Sequence, residues 1–193
     1  LKKLRDYTAT HFSDEEKREI KKKHGVERAV REAPARIRWV CIDLLKHYRE
    51  KIQPDGFKGM IVVGSRYAAT LFKQTLDELG APPSEVIISG KHNDEARYTP
   101  YTNAAHQKEV IKNFTKPLGM AEGQDPTAFL IVKDMLLTGF DAPIAQVMYI
   151  DRSLKEHTLM QAIARVNRTY KGKDAGFVVD YHGLSDYLTE ALE

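Results

Sequence analysis

The sequence contains little cysteine and no long apolar run. One cysteine occurs among 193 residues, which excludes a disulfide within the chain and the class of disulfide-stapled secreted domains. No apolar stretch approaches the roughly 20 residues that cross a bilayer, and the opening LKKLRDYTAT lacks the apolar core of a secretion signal. We therefore expect a cytoplasmic protein with no membrane partner. Cys41 lies between two apolar residues and is predicted to be a buried small side chain.

Three patterns typical of complete catalytic sites are also missing. The seven histidines lack the spacing of metal ligands, so no metal site is predicted. The phosphate-cradling pattern G-x-x-x-x-G-K-[ST] is absent, because the two Gly-Lys pairs are followed by His92 and Asp174. No acidic Mg²⁺-binding motif is found either. We therefore expect that this chain cannot hydrolyse ATP alone.

The charge balance is close to neutral, with 30 basic and 27 acidic residues and a net charge of +3. Such a surplus permits a polyanionic partner but does not require one. With 42% hydrophobic residues, the chain is long enough to bury one sizeable core. Composition therefore predicts one globular domain with at most a small appendage, and leaves its partner open.

Short apolar strands alternate with amphipathic helices along most of the chain. The predicted strands are Gly59–Val63, Val86–Ile88, Phe129–Val132, Val147–Ile150 and Gly176–Val179. The predicted helices are about Pro34–Tyr48, Tyr67–Leu79, Ala104–Phe114 and Glu156–Asn167. This alternation predicts an α/β fold, a parallel sheet with helices on both faces, in which ligands lie beyond the carboxyl ends of the strands. The loops after Val63, Ile88 and Val132 are therefore candidate sites. The segment Pro117–Pro126 is predicted to be a mobile surface loop.

The last predicted helix carries Gln161, Arg165 and Arg168 at spacing i, i+4 and i+7. At roughly 100° per residue, the three side chains share one face, opposite an apolar face. Guanidinium groups keep their charge and present planar donors that match phosphate oxygens. This face is therefore a candidate phosphate site. The alternative for the helix alone is an ordinary amphipathic helix with two solvated arginines, since arginine is a common helix former.

A second candidate lies in Lys133–Pro143, with the sequence KDMLLTGFDAP, directly after a predicted strand. Gly139 lets the backbone approach a ligand closely, and Asp141 offers an acceptor for ribose hydroxyls. Taken singly, Gly139–Pro143 is equally typical of a simple turn. Its position about twenty residues before the arginine helix, with one strand between them, favours a site.

Three segments in this order resemble motifs IV, V and VI of superfamily two helicases. They are IVVGSR, which contains Ser65 and Arg66, then LIVKDMLLTGFDAP and QAIARVNRTY. The strand VMYIDR lies between the last two segments. With it, the sequence over about Pro34–Leu184 is similar to that of the R subunit of type I restriction enzymes. Ala164 stands where the general motif has glycine, which fits the restriction-enzyme branch, and Lys133 stands where many helicases have threonine.

The resemblance implies the second RecA-like lobe of an ATP-dependent translocase that acts on double-stranded DNA. It implies that Arg168 is the arginine finger for the γ-phosphate of ATP, with Arg165 as a second catalytic arginine. Gln161 faces the same cleft, while Gly139 and Asp141 match positions that contact the nucleotide. Four residues match positions that in helicases contact the nucleic-acid backbone: Ser65, Arg66, Lys133 and Thr138.

The resemblance also sets the domain organisation and the partners that we expect. Residues 1–33, with a charged helix over Ser13–His24, would connect two motor lobes, and residues 34–184 would form the helicase C-terminal lobe. Residues 185–193 would form a helix leading to a further region. The first RecA-like lobe of the same polypeptide would hold Mg²⁺, and the methylation and specificity subunits would complete the complex. Because the chain begins with Leu rather than Met, we expect an excised or processed segment.

Two alternatives stay open. One is the C-terminal lobe of another superfamily two DNA or RNA helicase. Only the segments LLTGFDAP and ARVNR distinguish this chain from such a helicase. The other is a stand-alone phosphate-binding or interaction module. A long parent gene with an upstream Walker motif would favour the motor, and a short one would favour the module.

Overall fold

The computed structural model describes most of the chain, namely residues 25, 28–137, 139–154 and 156–183. The chain divides into two compact units, residues 1–37 and residues 38–193. The predicted helix Ser13–His24 and the predicted C-terminal helix at 185–193 lie outside the described residues.

In the unit formed by residues 1–37, residues 28–31 are helical. The Nε of Arg28 donates a hydrogen bond to Glu32 Oε1 at 2.9 Å, one helical turn away. The Nη1 of Arg36 donates to the carbonyl of Arg31 at 3.2 Å. Both interactions are local, and an exposed i,i+4 pair contributes only about 0.3–0.5 kcal/mol to helix stability.

Helices and strands then alternate as the hydrophobic pattern predicts. The strands are β1 (Lys58–Val63), β2 (Ser84–Ile87), β3 (Phe129–Val132), β4 (Ala145–Asp151) and β5 (Phe177–Asp180). The α-helices are α1 (Pro34–Lys51), α2 (Arg66–Glu78), α3 (Ala104–Phe114) and α4 (Glu156–Val166). Short 3₁₀ helices occupy Gln53–Asp55 and Ala96–Tyr101. Each predicted strand overlaps an observed one, with ends that differ by a few residues.

The five strands form one parallel sheet in the order β2-β3-β1-β4-β5. The chain moves one way across the sheet from β1 to β2 and the opposite way from β4 to β5. Because such crossovers are right-handed, α2 and α4 cover opposite faces. Every residue of β1, β3 and β4 is buried. The predicted parallel sheet covered on both faces is confirmed.

The centre of the sheet is packed closely enough to require a glycine. A Cβ built on Gly59 would lie 3.0 Å from Val147 Cγ1 and 3.2 Å from the ring of Phe129, so a larger residue in β1 would displace both neighbours. The ring of Tyr48 on α1 lies 4.4 Å from that of Phe129, and its hydroxyl donates to the carbonyl of Phe57 at 2.8 Å. Cys41 is buried, as predicted, and burial raises its pKa to about 12.

The loop predicted at the surface over Pro117–Pro126 ends in a buried ion pair. Lys58, which opens β1, is fully buried, and its Nζ lies 2.7 Å from Asp125 Oδ2. Burial lowers the pKa of Lys58, and the hydrogen bond to Asp125 offsets part of that effect. The prediction was therefore wrong for Asp125, because a charge at the start of a buried strand requires a counter-charge nearby.

Candidate phosphate-binding site

A cavity of about 450 Å³ opens beside α4. It is lined by Gly139, Phe140, Gln161, Ala164, Arg165 and Arg168. The structure therefore brings together four of the predicted site residues from two separate segments of the sequence. The loop precedes β4 in the sequence and α4 follows it. A hydrogen bond from Arg165 to the carbonyl of Leu137 joins the two segments in space.

Arg165 forms the buried wall of this cavity. Its side chain is 9% exposed, and its Nη2 donates to the carbonyl of Leu137 at 3.2 Å. Its Nε is buried and has no hydrogen-bond partner among the described residues. Burial lowers the pKa of Arg165, and Asp141 offsets part of that effect, but a guanidinium remains charged in proteins. The alternative of two solvated arginines is thus wrong for Arg165.

Arg168 forms the exposed wall. Since α4 ends at Val166, Arg168 lies beyond the helix, and its backbone N–H donates to the carbonyl of Arg165 at 3.4 Å. The prediction that it lies on the helix was wrong, although its side chain still lines the same cavity. Its side chain is 63% exposed, and its Nε lies 3.7 Å from Asp141 Oδ1. An exposed pair at this distance restrains an arginine weakly, so its guanidinium remains available to a ligand.

The loop opposite α4 has an unusual backbone. Leu136 has a φ of 66° and Gly139 a φ of 72°, both in the left-handed region, which a leucine rarely adopts. The carbonyl that Arg165 contacts belongs to Leu137, between these two positions. The predicted site residue Thr138 lies outside the described residues. Arg165 therefore stabilises the very loop that carries the exposed Gly139 backbone.

Gln161 and Asp141 complete the predicted nucleotide-contacting set. Gln161 is half-buried at the cavity wall, and its Nε2 lies 3.4 Å from Nε2 of His157 on the preceding turn of α4. Asp141 is exposed and lies at the far end of the loop, beside Arg168. Gln161 therefore lines the cavity, whereas Asp141 does not line it and is linked to it through Arg168.

The position of Arg165 and Arg168 depends on a glycine that follows α4. A Cβ built on Gly176 would lie 2.2 Å from the backbone oxygen of Val166 and 2.9 Å from the backbone nitrogen of Asn167. Real Cβ atoms do not approach backbone so closely, so any larger residue must displace the end of α4.

We expect Gly176→Ala to lower the free energy of unfolding by about 1–3 kcal/mol, because overpacking against backbone cannot be relieved by a side-chain rotation. Urea denaturation followed by circular dichroism measures the change. Gly90→Ala is the matched control, because its new Cβ would lie 3.5 Å from Thr102 Cβ, an ordinary contact. Equal stability of the two variants would show that the end of α4 tolerates displacement.

Ser65 and Arg66, after β1, already have partners within the fold. The hydroxyl of Ser65 caps α2 by accepting a hydrogen bond from the backbone N–H of Ala68 at 2.9 Å. Arg66 is nine-tenths buried, pairs with the carboxylate of Asp94 and lies over the ring of Tyr98, 4.0 Å from its centroid. The hydrogen bond from Arg66 lowers the pKa of Asp94. A nucleic-acid contact by either residue stays a prediction.

Lys133, after β3, lies in a charged cluster that includes a residue absent from the sequence predictions. Its Nζ lies 2.6 Å from Asp134 Oδ2. The Nη1 of Arg152 lies 2.6 Å from the other oxygen of that carboxylate and donates to the carbonyl of Lys133 at 2.8 Å. Arg152 follows β4 directly, so its position after a predicted strand was the signal that could have identified it.

The arrangement fits an anionic ligand with phosphate groups. A buried guanidinium with an unpartnered Nε and an exposed arginine line the same cavity, and an exposed glycine backbone faces them. Within the described ranges, no group of histidine, cysteine or acidic side chains could hold a metal ion. None of the described helices is long and apolar enough to cross a membrane.

The sequence matches a known family over most of its length. The sequence model of type I restriction enzyme subunit R domain 3 matches residues 55–183. A relative named for the type I restriction enzyme MjaIXP endonuclease subunit, from Methanocaldococcus jannaschii, is 38% identical over 158 residues, covering 79% of this chain and 14% of the relative. The type I restriction enzyme HindI endonuclease subunit of Haemophilus influenzae is 31% identical over 166 residues, covering 80% and 15%. The chain thus spans about one seventh of these relatives.

Solved structures share the fold at low sequence identity. An HsdR subunit fragment of a type I restriction enzyme from Vibrio vulnificus YJ016 has a TM-score of 0.58 and 16% identity, covering 80% of this chain and 29% of that chain. The C-terminal domain of the DEAD-box protein Dbp5 has a TM-score of 0.54 and 16% identity, covering 79% and 76%. The C-terminal part of the Fun30 ATPase domain has a TM-score of 0.53 and 15% identity, covering 78% and 44%. These likenesses confirm the predicted RecA-like fold class.

Proposed function

This chain belongs to the family of type I restriction enzyme subunit R domain 3, and we propose that it is the second motor lobe of an ATP-dependent translocase on double-stranded DNA. The observation that carries the proposal is the cavity in which buried Arg165 and exposed Arg168 meet the loop at Gly139. In the whole protein, this cavity would form one wall of an ATP site. The first RecA-like lobe of the same polypeptide would form the other wall and hold Mg²⁺.

The two arginines would have different roles at that site. Bound ATP would supply the γ-phosphoryl group whose transfer to water releases free energy. Arg168 would reach that group across the cleft and neutralise the charge that develops on it. Arg165 would contribute the charge of its guanidinium from the cavity wall while its bond to the Leu137 carbonyl orients the loop. Gln161, Gly139 and Asp141 would position the nucleotide.

The carboxyl edge beyond β1 and β3 would form part of the DNA track. Ser65, Arg66, Lys133 and Thr138 would contact phosphates there, and such contacts position a strand without reading its sequence. Recognition of a target would therefore fall to the specificity subunit, with the methylation subunit completing a cytoplasmic complex. The same protein would carry its endonuclease outside these residues.

The chain alone is expected to show no DNA-stimulated ATP hydrolysis, because it has no phosphate-cradling loop and no acidic Mg²⁺ motif. Phosphate release is measured with the purified chain and plasmid DNA, and the full-length protein is assayed in parallel as the positive control. Turnover that copurifies with the chain and is lost in Arg168→Ala would contradict the proposal of a half-site.

A further inference from the structure

Two cationic side chains share one carboxylate at the carboxyl edge of the sheet. Lys133 follows β3 and Arg152 follows β4, with the end of β1 between them in the sheet order. The carboxylate of Asp134 accepts from Lys133 at one oxygen and from Arg152 at the other, each at 2.6 Å. Two donors thus converge on a pair of anionic oxygens, which is also how charged side chains bind phosphate groups.

The site is fixed in place on its Arg152 side. The Nη1 of Arg152 also donates to the carbonyl of Lys133 at 2.8 Å, so the arginine spans the end of β1. Gly64 lies at that end, and the nearest atom to a Cβ built on it is Arg152 Cβ at 3.8 Å, an ordinary contact distance. Gly64 is exposed, and Ser65 after it begins the cap of α2, whose N-terminus adds a partial positive charge. Open backbone and positive potential therefore lie beside the two cations.

Asp134 is weakly restrained compared with the groups that surround it. Its side chain is 60% exposed, whereas that of Arg152 is 24% exposed. Burial raises the pKa of Asp134, but the hydrogen bonds from Lys133 and Arg152 outweigh it, so the pKa is lowered and the group is ionised at neutral pH. Exposed ion pairs of this kind contribute only about 0–1 kcal/mol. The carboxylate can therefore be displaced while Arg152 keeps its bond to the backbone.

We propose that Lys133 and Arg152 form a binding site for one phosphodiester of a nucleic-acid strand, and that Asp134 is a resident anion which the phosphodiester displaces. The inference rests on the proposed DNA track and deepens it. It adds Arg152 to the track and gives Asp134 an opposing role, since the phosphodiester must compete with its charge.

Asp134→Asn tests the inference because it removes the competing charge and preserves the shape of the side chain. We expect the full 193-residue chain to bind a fluorescent 30-base-pair DNA duplex about 3- to 10-fold more tightly after this change, with a steeper salt dependence. Arg152→Gln is expected to weaken binding about 10-fold and to make the salt dependence shallower. Fluorescence anisotropy between 50 and 200 mM salt, roughly the range in which phosphate contacts dominate, measures both affinity and slope.

Asp77→Asn is the matched control. Asp77 lies on α2, pairs with Lys73 at 2.6 Å and is 56% exposed, so the substitution makes the same change of net charge at a similar ion pair. Its affinity is expected to stay within about twofold of the original, because its charge lies on another surface. Thermal unfolding of each variant verifies that the fold is intact, and single-stranded DNA in a parallel titration shows which form of the strand the site takes.

The outcomes separate this inference from the proposed function. Suppose that the wild type binds DNA and that Asp134→Asn raises its affinity no more than Asp77→Asn does. This result overturns the inference and leaves the DNA track in place. A folded Arg152→Gln variant that binds with the original affinity also overturns it. Binding by neither the wild type nor Asp134→Asn contradicts the DNA track, and the inference fails with it.

Discussion

Replacing Arg168 by alanine in the full-length protein is expected to reduce DNA-stimulated ATP turnover by about 10³-fold or more, the typical contribution of an arginine finger. The substitution should leave the fold unchanged. Arg168 lies beyond the end of α4, its side chain is 63% exposed, and its contact with Asp141 Oδ1 is 3.7 Å long. Its removal therefore takes away a charge from the cavity but almost no packing.

Arg97→Ala is the control for this variant. Arg97 is also exposed and paired with a carboxylate, that of Glu95 at 3.0 Å, but it lies away from the cavity. Its turnover should stay within about twofold of the wild type, as expected for a surface substitution away from the site. If Arg168→Ala keeps normal turnover, Arg168 is not the finger and the phosphate-facing role of the cavity must be assigned to Arg165 alone.

Replacing Asp125 by alanine is expected to lower the free energy of unfolding by about 3–5 kcal/mol, because it leaves the ammonium group of Lys58 buried and unpaired. Lys58 is fully buried, its Nζ is 2.7 Å from Asp125, and the ring of Phe114 lies 4.9 Å away. Such a loss is a large fraction of the stability of a typical domain. Urea denaturation of the 193-residue chain gives the value.

The double variant Lys58→Met with Asp125→Ala distinguishes loss of an ion pair from loss of packing. Removing both charges should restore much of the stability, because apolar residues of similar volume replace buried ion pairs at little or no cost. A double variant as unstable as Asp125→Ala would show that the carboxylate stabilises the loop by its shape. A stability change below about 1 kcal/mol in Asp125→Ala would show that Lys58 reaches water.

The fold was predictable because its signal is local and repeated. β1, β3 and β4 are fully buried, so each contains a run of apolar residues in the sequence, and helices with apolar faces separate them. The register of the strands brought the loops after β1, β3 and β4 to one edge, as expected for a parallel sheet. The order of the strands across the sheet could not be obtained from this local signal.

The candidate site was predictable in part. Gln161, Arg165 and Arg168 do line one cavity, as their spacing predicted, although only the first two lie on α4. Spacing along an ideal helix could not show where the helix ends, nor that Gly176 lies close to its last residue. Contact with Leu137, which buries Arg165, is likewise a tertiary effect.

Long-range charge pairs were not predictable at all. Lys58 and Asp125 are 67 positions apart, and the sequence around Asp125 is typical of a surface loop. Arg66 follows β1 at the ligand edge, yet its side chain packs against Tyr98 and pairs with Asp94. A strand boundary predicts where a residue lies, but only the neighbouring elements determine which way its side chain extends.

The affinity of the full-length protein for ADP with aluminium fluoride, measured with DNA present, tests the central claim most directly. This complex mimics the phosphoryl group in transfer, and groups that act in the transition state bind such mimics at least about 10²-fold more tightly than the ground state. We predict that the wild type binds ADP with aluminium fluoride far more tightly than ADP alone, and that Arg168→Ala loses this preference while its affinity for ADP stays the same. A variant that retains the full preference would contradict the assignment of this lobe as the source of the arginine finger.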